Sequence, residues 1–319
     1  MKGLTDIPGI RVGHESDLDA LTGCTVILCD GGAVGGVDVR GSATGSTELD
    51  VLSPGHVDAQ VDGIVLAGGS AYGLEAVSGV RRFLGAHGVG VKVGPHVVPI
   101  VPGAILFDLG IGKGNVRPTR EMGEAVAAKA TADAVREGAV GAGTGATVGK
   151  LFGMGQAMKS GIGCATVEAG AVRVASLVAV NAFGDVRDPA TGKLIAGARK
   201  GPTSMELVDT EEQMKRGARG SFIRHNTTLA VIATNARLNK VGAAKLAQLA
   251  SLGIARTIYP VNTMFDGDIV FALAKGEAKA DIDTLGVMAA DAVMQAVVRA
   301  VKMAPTLGGL PGLGSYRRG

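Results

Sequence analysis

The stretch FIRHNTTLAVIATNA, residues 222–236, joins a polar cluster directly to an apolar run, with no turn residue between them. The run that follows Thr228 is short and apolar, which favours a buried strand. Two interpretations fit this junction. Either a loop enters the strand directly, or the backbone is cut between Asn226 and Thr227, so that the strand begins with a new N-terminus.

The composition indicates a close-packed protein built from small side chains. Of the 319 residues, 46% are hydrophobic but only 3% are aromatic, and 51 are glycine. A chain of this length buries a sizeable core as one large α/β domain or as two smaller ones. The core must therefore be filled by Ala, Val, Leu and Ile, with backbones approaching each other at Gly and Ala.

Charge, hydropathy and cysteine content argue against several classes of protein. The 32 basic and 29 acidic residues leave a formal charge of +3 without a block of like charge, so we expect no nucleic-acid partner. No run approaches the roughly 18 to 20 uninterrupted apolar residues of a membrane helix, and no signal-like segment opens the chain. We therefore expect a soluble, cytoplasmic protein without a membrane partner. Cys24 and Cys29 fall on opposite faces of one predicted strand, which works against a disulfide between them.

Strand-like and helix-like segments alternate along the first half of the chain, which predicts sheets covered by helices. Strand-like runs occupy 23–29 and 62–68, and helices are predicted over 71–85, with Ser70 as the N-cap, and over 120–137. Runs at 163–170 and 172–184 predict a hairpin around Gly170, because both are rich in β-branched residues.

The second half opens with a polar segment, 186–225, that we predict to be an exposed linker. It is followed by a strand over 227–236, a helix over 240–256, the strand GDIVFALA and a last helix of about 20 residues from the N-cap Asp283. The Gly-rich tail, 307–319, is predicted to be poorly ordered.

Two glycine-rich motifs are similar to catalytic loops but depart from them. GAGTGATVGK, residues 141–150, lacks the glycine spacing of a phosphate loop and the Ser or Thr after Lys150, so a structural connection is the preferred interpretation. GGSAYGL, residues 68–74, has Tyr72 where a nucleophile elbow needs glycine. We predict instead that Ser70 caps the helix and that Tyr72 lines a substrate pocket at the helix start.

The histidines show no metal-ligand spacing, so we predict neither a metal nor another cofactor. A serine triad assembled in space from distant residues stays open.

Asp266 and Asp268 are two apart at the start of a strand, where both carboxylates can face one side. Such a pair often marks a site, because it costs energy unless it meets cations or donors. Asn181 interrupts an apolar strand, and its buried amide needs partners and can stabilise an oxyanion. Taken singly, the acidic pair also fits a solvated turn, and Asn181 a satisfied core residue.

Taken together, these residues resemble a known family, the N-terminal-nucleophile hydrolases that include the D-aminopeptidase/β-aminopeptidase enzymes and the endo-type nylon-oligomer hydrolase. The resemblance runs over nearly the whole chain in LTDIPGIRVGH, GIVLAGGSAYGL, VAVNAFGDV, HNTTLAVIATNA and NTMFDGDIVFALA. It implies a single four-layer α-β-β-α sandwich that cuts itself at Asn226–Thr227 into fragments 1–226 and 227–319. It also implies a homo-oligomer, commonly a tetramer.

The resemblance further implies a role for each site residue. Thr227 matches the nucleophile, whose hydroxyl first attacks the carbonyl of Asn226 and later a substrate amide. Lys150 matches a site lysine of the nylon-oligomer branch, Asn181 the oxyanion-side asparagine, and Asp266 with Asp268 the pair that orients the nucleophile and its amine. A free N-terminal threonine carries an amine with a pKa of about 7.7 to 8.0, so it supplies its own base.

The substrate implied is a small linear amide or peptide, such as a 6-aminohexanoate oligomer or an aminoacyl amide. The nylon-oligomer branch fits best, since the aminopeptidase branch carries a Gly-Ser cut site, a tyrosine for the lysine and Ser-x-Glu for Asp-x-Asp. Two alternatives remain: an acyltransferase of the ornithine acetyltransferase-like fold, and a non-catalytic metabolite-binding protein.

Overall fold

The computed structural model describes residues 2–57, 60–219 and 226–314. The α-helices are α1 (Glu75–Ala86), α2 (Arg120–Lys129), α3 (Thr210–Lys215), α4 (Lys240–Ala255) and α5 (Ile282–Lys302). The strands are β1 (Ile10–Asp17), β2 (Thr22–Val39), β3 (Ser46–Thr47), β4 (Gln60–Ala67), β5 (Val91–Val93), β6 (His96–Val98), β7 (Gly103–Ile105), β8 (Thr147–Val148), β9 (Met158–Lys159), β10 (Ile162–Ala169), β11 (Val172–Asn181), β12 (Asp185–Arg187), β13 (Leu194–Ala196), β14 (Thr227–Ala236), β15 (Ile258–Tyr259) and β16 (Ile269–Ala278).

One long strand, β2, links the two sheet layers of the protein. Its first part pairs with β1 and β4, and its last part, from Val34 to Val39, pairs with β16. The strand order β10-β11-β14-β16-β2-β4-β7-β3 is therefore continuous. A shift in register between Leu28 and Ala33 interrupts the pairing with β4 where the strand passes from one layer to the other.

The central core lies between these two layers and draws on alternate residues of each strand. In β14, Leu229, Val231 and Ala233 join the central core, whereas Ala230 and Ile232 face the opposite way. This alternation is the period-2 pattern of a strand that is buried on both faces.

Helices cover the outer face of each layer. Helices α4 and α5 pack on β2, β10, β11 and β16, and α1 and α2 pack on β2 and β4. The predicted four-layer α-β-β-α sandwich is thereby confirmed. Small residues allow the layers to approach each other closely. A side chain at Gly163 of β10, for example, would clash with the carbonyl of Ala296 in α5.

The predicted helix over 120–137 is too long, and the predicted caps are misplaced. α2 ends at Lys129 because the Thr131 backbone pairs with Val12 of β1, taking the next residues out of helical geometry. Ser70 does not cap a helix. It opens a 3-10 turn over Ser70–Leu74 with φ of +54°, and the N-cap of α5 is Asp281, whose side chain accepts from Thr284 N.

Two segments predicted to be exposed or poorly ordered are structured over their described residues. Just before the predicted linker, the buried carboxylate of Asp185 accepts from the backbone N–H groups of Ala198 and Thr210 within it, and this holds β12, β13 and α3 together. In the tail, Leu310 is buried and Lys159 N donates to Pro311 O at 2.9 Å. Long-range partners, which local composition does not reveal, order both segments.

Helix α5 is long and apolar enough to cross a membrane by length and composition, but 61% of its apolar window is buried inside the protein. Its buried residues contact β10, β11 and α4, as expected for a core helix.

We expect Leu273→Ala, in the central core, to lower the free energy of unfolding by about 2 to 5 kcal/mol. Leu18→Ala, in the exposed turn between β1 and β2, removes the same atoms and should change it by about 0.5 kcal/mol or less. Chemical denaturation checks both values in a Thr227→Val background, which excludes the cut at Asn226–Thr227 that the family resemblance implies. Equal losses would show that the core does not lie between the sheets.

Candidate active site

Three neighbouring interior strands have ends that lie side by side. They form one edge of the sheet, here meaning the edge at which strands begin or end. Asn181 is the last residue of β11 and Thr227 the first of β14, and the antiparallel register pairs them directly. β16 runs parallel to β14 and starts at Ile269, so the residues just before it reach the same edge. The sheet therefore brings Asn181, Thr227 and the segment 266–268 together.

The Asn226–Thr227 junction is buried and tightly bonded. Asn226 N donates to Phe265 O at 3.0 Å, and Gly267 N donates to Asn226 O at 2.7 Å. The Thr227 hydroxyl donates to the same Asn226 oxygen at 2.6 Å. Arg224 and His225, from the polar cluster that precedes the junction, lie outside the described residues.

Lys150 and Asn181 form a buried polar unit beside the junction. Lys150 Nζ donates to Asn181 Oδ1 at 2.7 Å and to Asn181 O at 3.0 Å. Asn181 Oδ1 also accepts from Thr147 N at 3.1 Å, and Asn181 Nδ2 donates to Phe107 O at 2.9 Å. The amide is therefore held at both ends. Burial lowers the pKa of Lys150 to about 7, although the nearby Asp266 opposes this shift.

The acidic pair is buried at the same edge. Asp268 accepts from Thr228 N at 2.6 Å and from Asn262 N at 3.2 Å, and Asp266 accepts from Thr263 N at 2.8 Å. Burial, together with the charge of Asp266, raises the pKa of Asp268 to about 7, and burial raises the pKa of Asp266 as well. A cation placed at this edge would favour ionisation of both carboxyl groups.

A cavity of about 250 Å³ opens on Thr227. Its other lining residues are small or uncharged: Ala43, Thr44, Gly45, Ser70, Ala71, Ile105 and Phe107. Tyr72 is not among them; its side chain is 62% exposed, with the Arg117 guanidinium 3.8 Å from its ring centroid. The left-handed backbone of Ser70 instead brings that residue to the cavity, a placement that the sequence pattern did not indicate.

Sequence reasoning also missed a second buried lysine. Lys159 Nζ donates to three backbone carbonyls, those of Gly143 at 3.3 Å, Ala146 at 2.7 Å and Ser160 at 2.7 Å. Burial lowers its pKa to about 7, opposed by the charge of the buried Asp108, which accepts from Thr22 Oγ1 and Gly69 N. The sequence does contain a signal for these two buried charges. Lys159 and Asp108 are each the single charged residue of a short run, AMKSG and ILFDLG respectively.

This lysine explains the glycine-rich loop 141–150. A phosphate loop turns its N–H groups toward an anion, whereas this loop turns the carbonyls of Gly143 and Ala146 toward an ammonium. The loop thus binds a cation of the protein itself. Within the parts of the chain that the structure describes, no group of three His, Cys, Asp or Glu side chains is arranged to hold a metal ion.

The sequence profile of Peptidase family S58 matches residues 2–313. The chain belongs to this family. Among curated relatives of this peptidase, an uncharacterized aminopeptidase of Mycobacterium leprae is 41% identical over 98% of this chain and 93% of its own length. A 6-aminohexanoate-oligomer endohydrolase of Kocuria sp. is 30% identical over 93% of this chain and 85% of its own length. Membership of this family makes the protein a hydrolase that acts on amide bonds.

Solved structures agree on the fold of this peptidase. A Burkholderia sp. β-aminopeptidase is similar with a TM-score of 0.69 and 25% identity, over 99% of this chain and 92% of its own. The L-aminopeptidase D-Ala-esterase/amidase of Ochrobactrum anthropi, described as a variant of the Ntn hydrolase fold, has a TM-score of 0.73 at 20% identity, over 97% of this chain and 88% of its own. The α-β-β-α sandwich is thus an Ntn hydrolase fold.

The two buried lysines differ in what their removal leaves behind. We expect Lys159→Met to lower the free energy of unfolding by on the order of 3 kcal/mol, because hydrogen bonds to three buried carbonyls are lost, although two of them, Gly143 O and Ala146 O, each keep a backbone donor. Lys150→Met should cost less, because it removes two hydrogen bonds, both to Asn181, and Asn181 Oδ1 keeps the donor Thr147 N. Chemical denaturation of both variants in the Thr227→Val background checks this order. A larger loss for Lys150→Met would show that Lys150, too, serves mainly to hold the fold together.

Proposed function

We propose that the protein is a self-processing N-terminal-threonine amidase that cuts its own Asn226–Thr227 bond. The observation that carries this proposal is the contact between the Thr227 hydroxyl and the carbonyl oxygen of Asn226, at 2.6 Å. This contact lies at a cavity, at the same edge as a buried acidic pair and as Asn181, which binds the buried Lys150. A hydroxyl beside the carbonyl of its own preceding residue has the placement that an N-to-O acyl shift requires.

In maturation the Thr227 oxygen attacks the Asn226 carbonyl carbon, and the hydroxyl proton passes to the Thr227 nitrogen as the C–N bond breaks. Water then hydrolyses the resulting ester, which gives the Asn226 carboxylate and a free Thr227 amine and hydroxyl. With a pKa near 7, Lys150 is partly neutral at physiological pH and is suited to relay the proton.

In turnover the freed Thr227 hydroxyl attacks a substrate amide, and its proton passes to the leaving amine as the C–N bond breaks. Water then hydrolyses the acyl-enzyme ester and restores the hydroxyl. Asp266 and Asp268 hold the new Thr227 ammonium, since both carboxyl groups are buried next to the junction. An amide nitrogen carries two hydrogens, and only one of those on Asn181 is needed for Phe107 O. The second one stabilises the substrate oxyanion.

The cavity supports a substrate whose acyl part near the scissile bond is small and aliphatic. Its volume is about 250 Å³, and its lining side chains carry no charge. The aliphatic segments of linear amides, including 6-aminohexanoate oligomers and small aminoacyl amides, match this size and polarity, with the charged ends of the substrate outside the cavity. The names of the relatives, an aminopeptidase and a 6-aminohexanoate-oligomer endohydrolase, fit the same range of substrates.

We also propose that fragments 1–226 and 227–319 stay together as one domain, and that processed pairs assemble into a cytoplasmic homotetramer. Assembly is supported by the surface of the outer helices α4 and α5, where Val241, Leu252 and Val287 expose apolar side chains.

We expect the wild-type protein to separate into two bands on denaturing electrophoresis, with the smaller fragment beginning Thr-Thr-Leu-Ala. Thr227→Val keeps the side-chain shape but lacks the hydroxyl, so it should stay full-length and fail to hydrolyse 6-aminohexanoate oligomers and β- or D-aminoacyl amides. The matched control is Thr234→Val at the far end of β14, whose hydroxyl bonds only backbone groups, Arg173 O and Ala236 N. This control should be cut normally. A cut Thr227→Val protein would rule out the proposed nucleophile.

Self-cleavage should also depend on pH through Lys150. Because the pKa of this amine is lowered to about 7, it becomes protonated below that pH and can no longer accept a proton. The rate should therefore fall about tenfold per pH unit below 7. Lys150→Met should cleave slowly and without this dependence. If the same fall persists in Lys150→Met, the titrating group is Asp268, whose pKa is also about 7, and the role of Lys150 is wrong.

A further inference from the structure

The oxygen of the Asn226 carbonyl accepts two hydrogen bonds, and they have different fates in the proposed cut. One comes from the Thr227 hydroxyl at 2.6 Å and the other from Gly267 N at 2.7 Å. The hydroxyl loses its proton when it becomes the nucleophile. Among the described residues, the remaining donor with a hydrogen bond to this oxygen is the Gly267 N–H.

We propose that the Gly267 backbone N–H is the oxyanion donor of self-cleavage. This inference rests on the proposed function, because it concerns the same Asn226–Thr227 bond. As the Thr227 oxygen adds to the carbonyl carbon, the C=O electron pair moves onto the oxygen, and the negative charge develops 2.7 Å from Gly267 N. When the C–N bond breaks, this charge returns to the carbonyl of the ester, so the N–H contacts the reacting group throughout.

The donor is fixed in place before the reaction starts. On one side of Gly267, Asp266 O accepts from Ala43 N at 2.9 Å; on the other, Asp268 O accepts from Gly41 N at 3.1 Å. Asn226 and Asp266 form a parallel bridge, so the segment that carries the donor is paired with the segment that carries the acceptor. A preorganised N–H of this kind stabilises developing charge without the cost of reorientation.

The residue type at 267 fits this role. A Cβ at this position would lie 2.8 Å from Thr227 Oγ1 and 2.8 Å from Ala43 O, closer than real Cβ contacts. A side chain would therefore displace either the nucleophile or the neighbouring backbone. Glycine is what allows the N–H to approach the Asn226 carbonyl while the Thr227 hydroxyl occupies the adjacent space.

A side-chain substitution cannot test a backbone donor, so the test replaces the amide itself. Glycolic acid, introduced at position 267 by nonsense suppression in cell-free translation, replaces the N–H by an ester oxygen and adds no side chain. The matched control is glycolic acid at position 41, which removes the N–H that donates to Asp268 O and leaves the Asn226 carbonyl untouched. Mass spectrometry follows the appearance of fragment 227–319 and distinguishes it from hydrolysis at the introduced ester.

We expect the ester at 267 to slow self-cleavage about 100-fold, the loss typical of one oxyanion donor, and the ester at 41 to slow it only slightly. Melting temperatures of both esters in the Thr227→Val background should agree, which separates chemistry from folding. A 267 ester that is cut nearly as fast as wild type, or two esters slowed equally, would overturn the inference and leave the proposed cut intact. A wild-type protein that never cleaves would overturn both.

Discussion

The pairing of Asn181 with Thr227 across β11 and β14 is the constraint on which the site depends. The sheet fixes this pair with the precision of backbone hydrogen bonds, and each partner organises its own neighbours. Asn181 holds Lys150 and the Phe107 carbonyl, while Thr227 opens on the cavity. A register shift of one residue would turn Thr227 to the other face of β14, so the identity of the nucleophile depends on the same alternation that builds the core.

The electrostatics of this edge are unbalanced in the uncut chain. Two buried carboxyl groups have pKa values raised by burial, and the buried lysine beside them has a pKa lowered to about 7. None of the three groups is fully compensated by a partner of opposite charge. The proposed cut creates an ammonium at Thr227 and thus adds a second cation beside the acidic pair. That cation favours ionised Asp266 and Asp268, while the Asn226 carboxylate released by the same cut keeps the net charge of this edge unchanged.

Local patterns in the sequence were sufficient to predict the strands that form this edge. The run after Asn226 and the hairpin around Gly170 lie where short-range periodicity places them, and Asp266 and Asp268 come just before β16. Features set by distant contacts were not predictable in the same way. Ser70 reaches the cavity through a left-handed backbone conformation, and Lys159 is buried because carbonyls of the glycine-rich loop surround it. The predicted helix over 120–137 stops early for a similar reason, because the backbone of Thr131 forms hydrogen bonds with Val12 of β1.

The strand order determines what a cut at Asn226–Thr227 does to the molecule. Strands β14 and β16 of the second fragment lie side by side in the sheet, with β11 on one side and β2 on the other. Both of these flanking strands belong to the first fragment. The second fragment is therefore hydrogen-bonded on both sides and is covered by its own helices α4 and α5. Breaking one peptide bond at the end of β14 removes none of these strand pairings. A new N-terminus normally frays, but Thr227 stays paired with Asn181, so a freed nucleophile would remain where the fold has placed it.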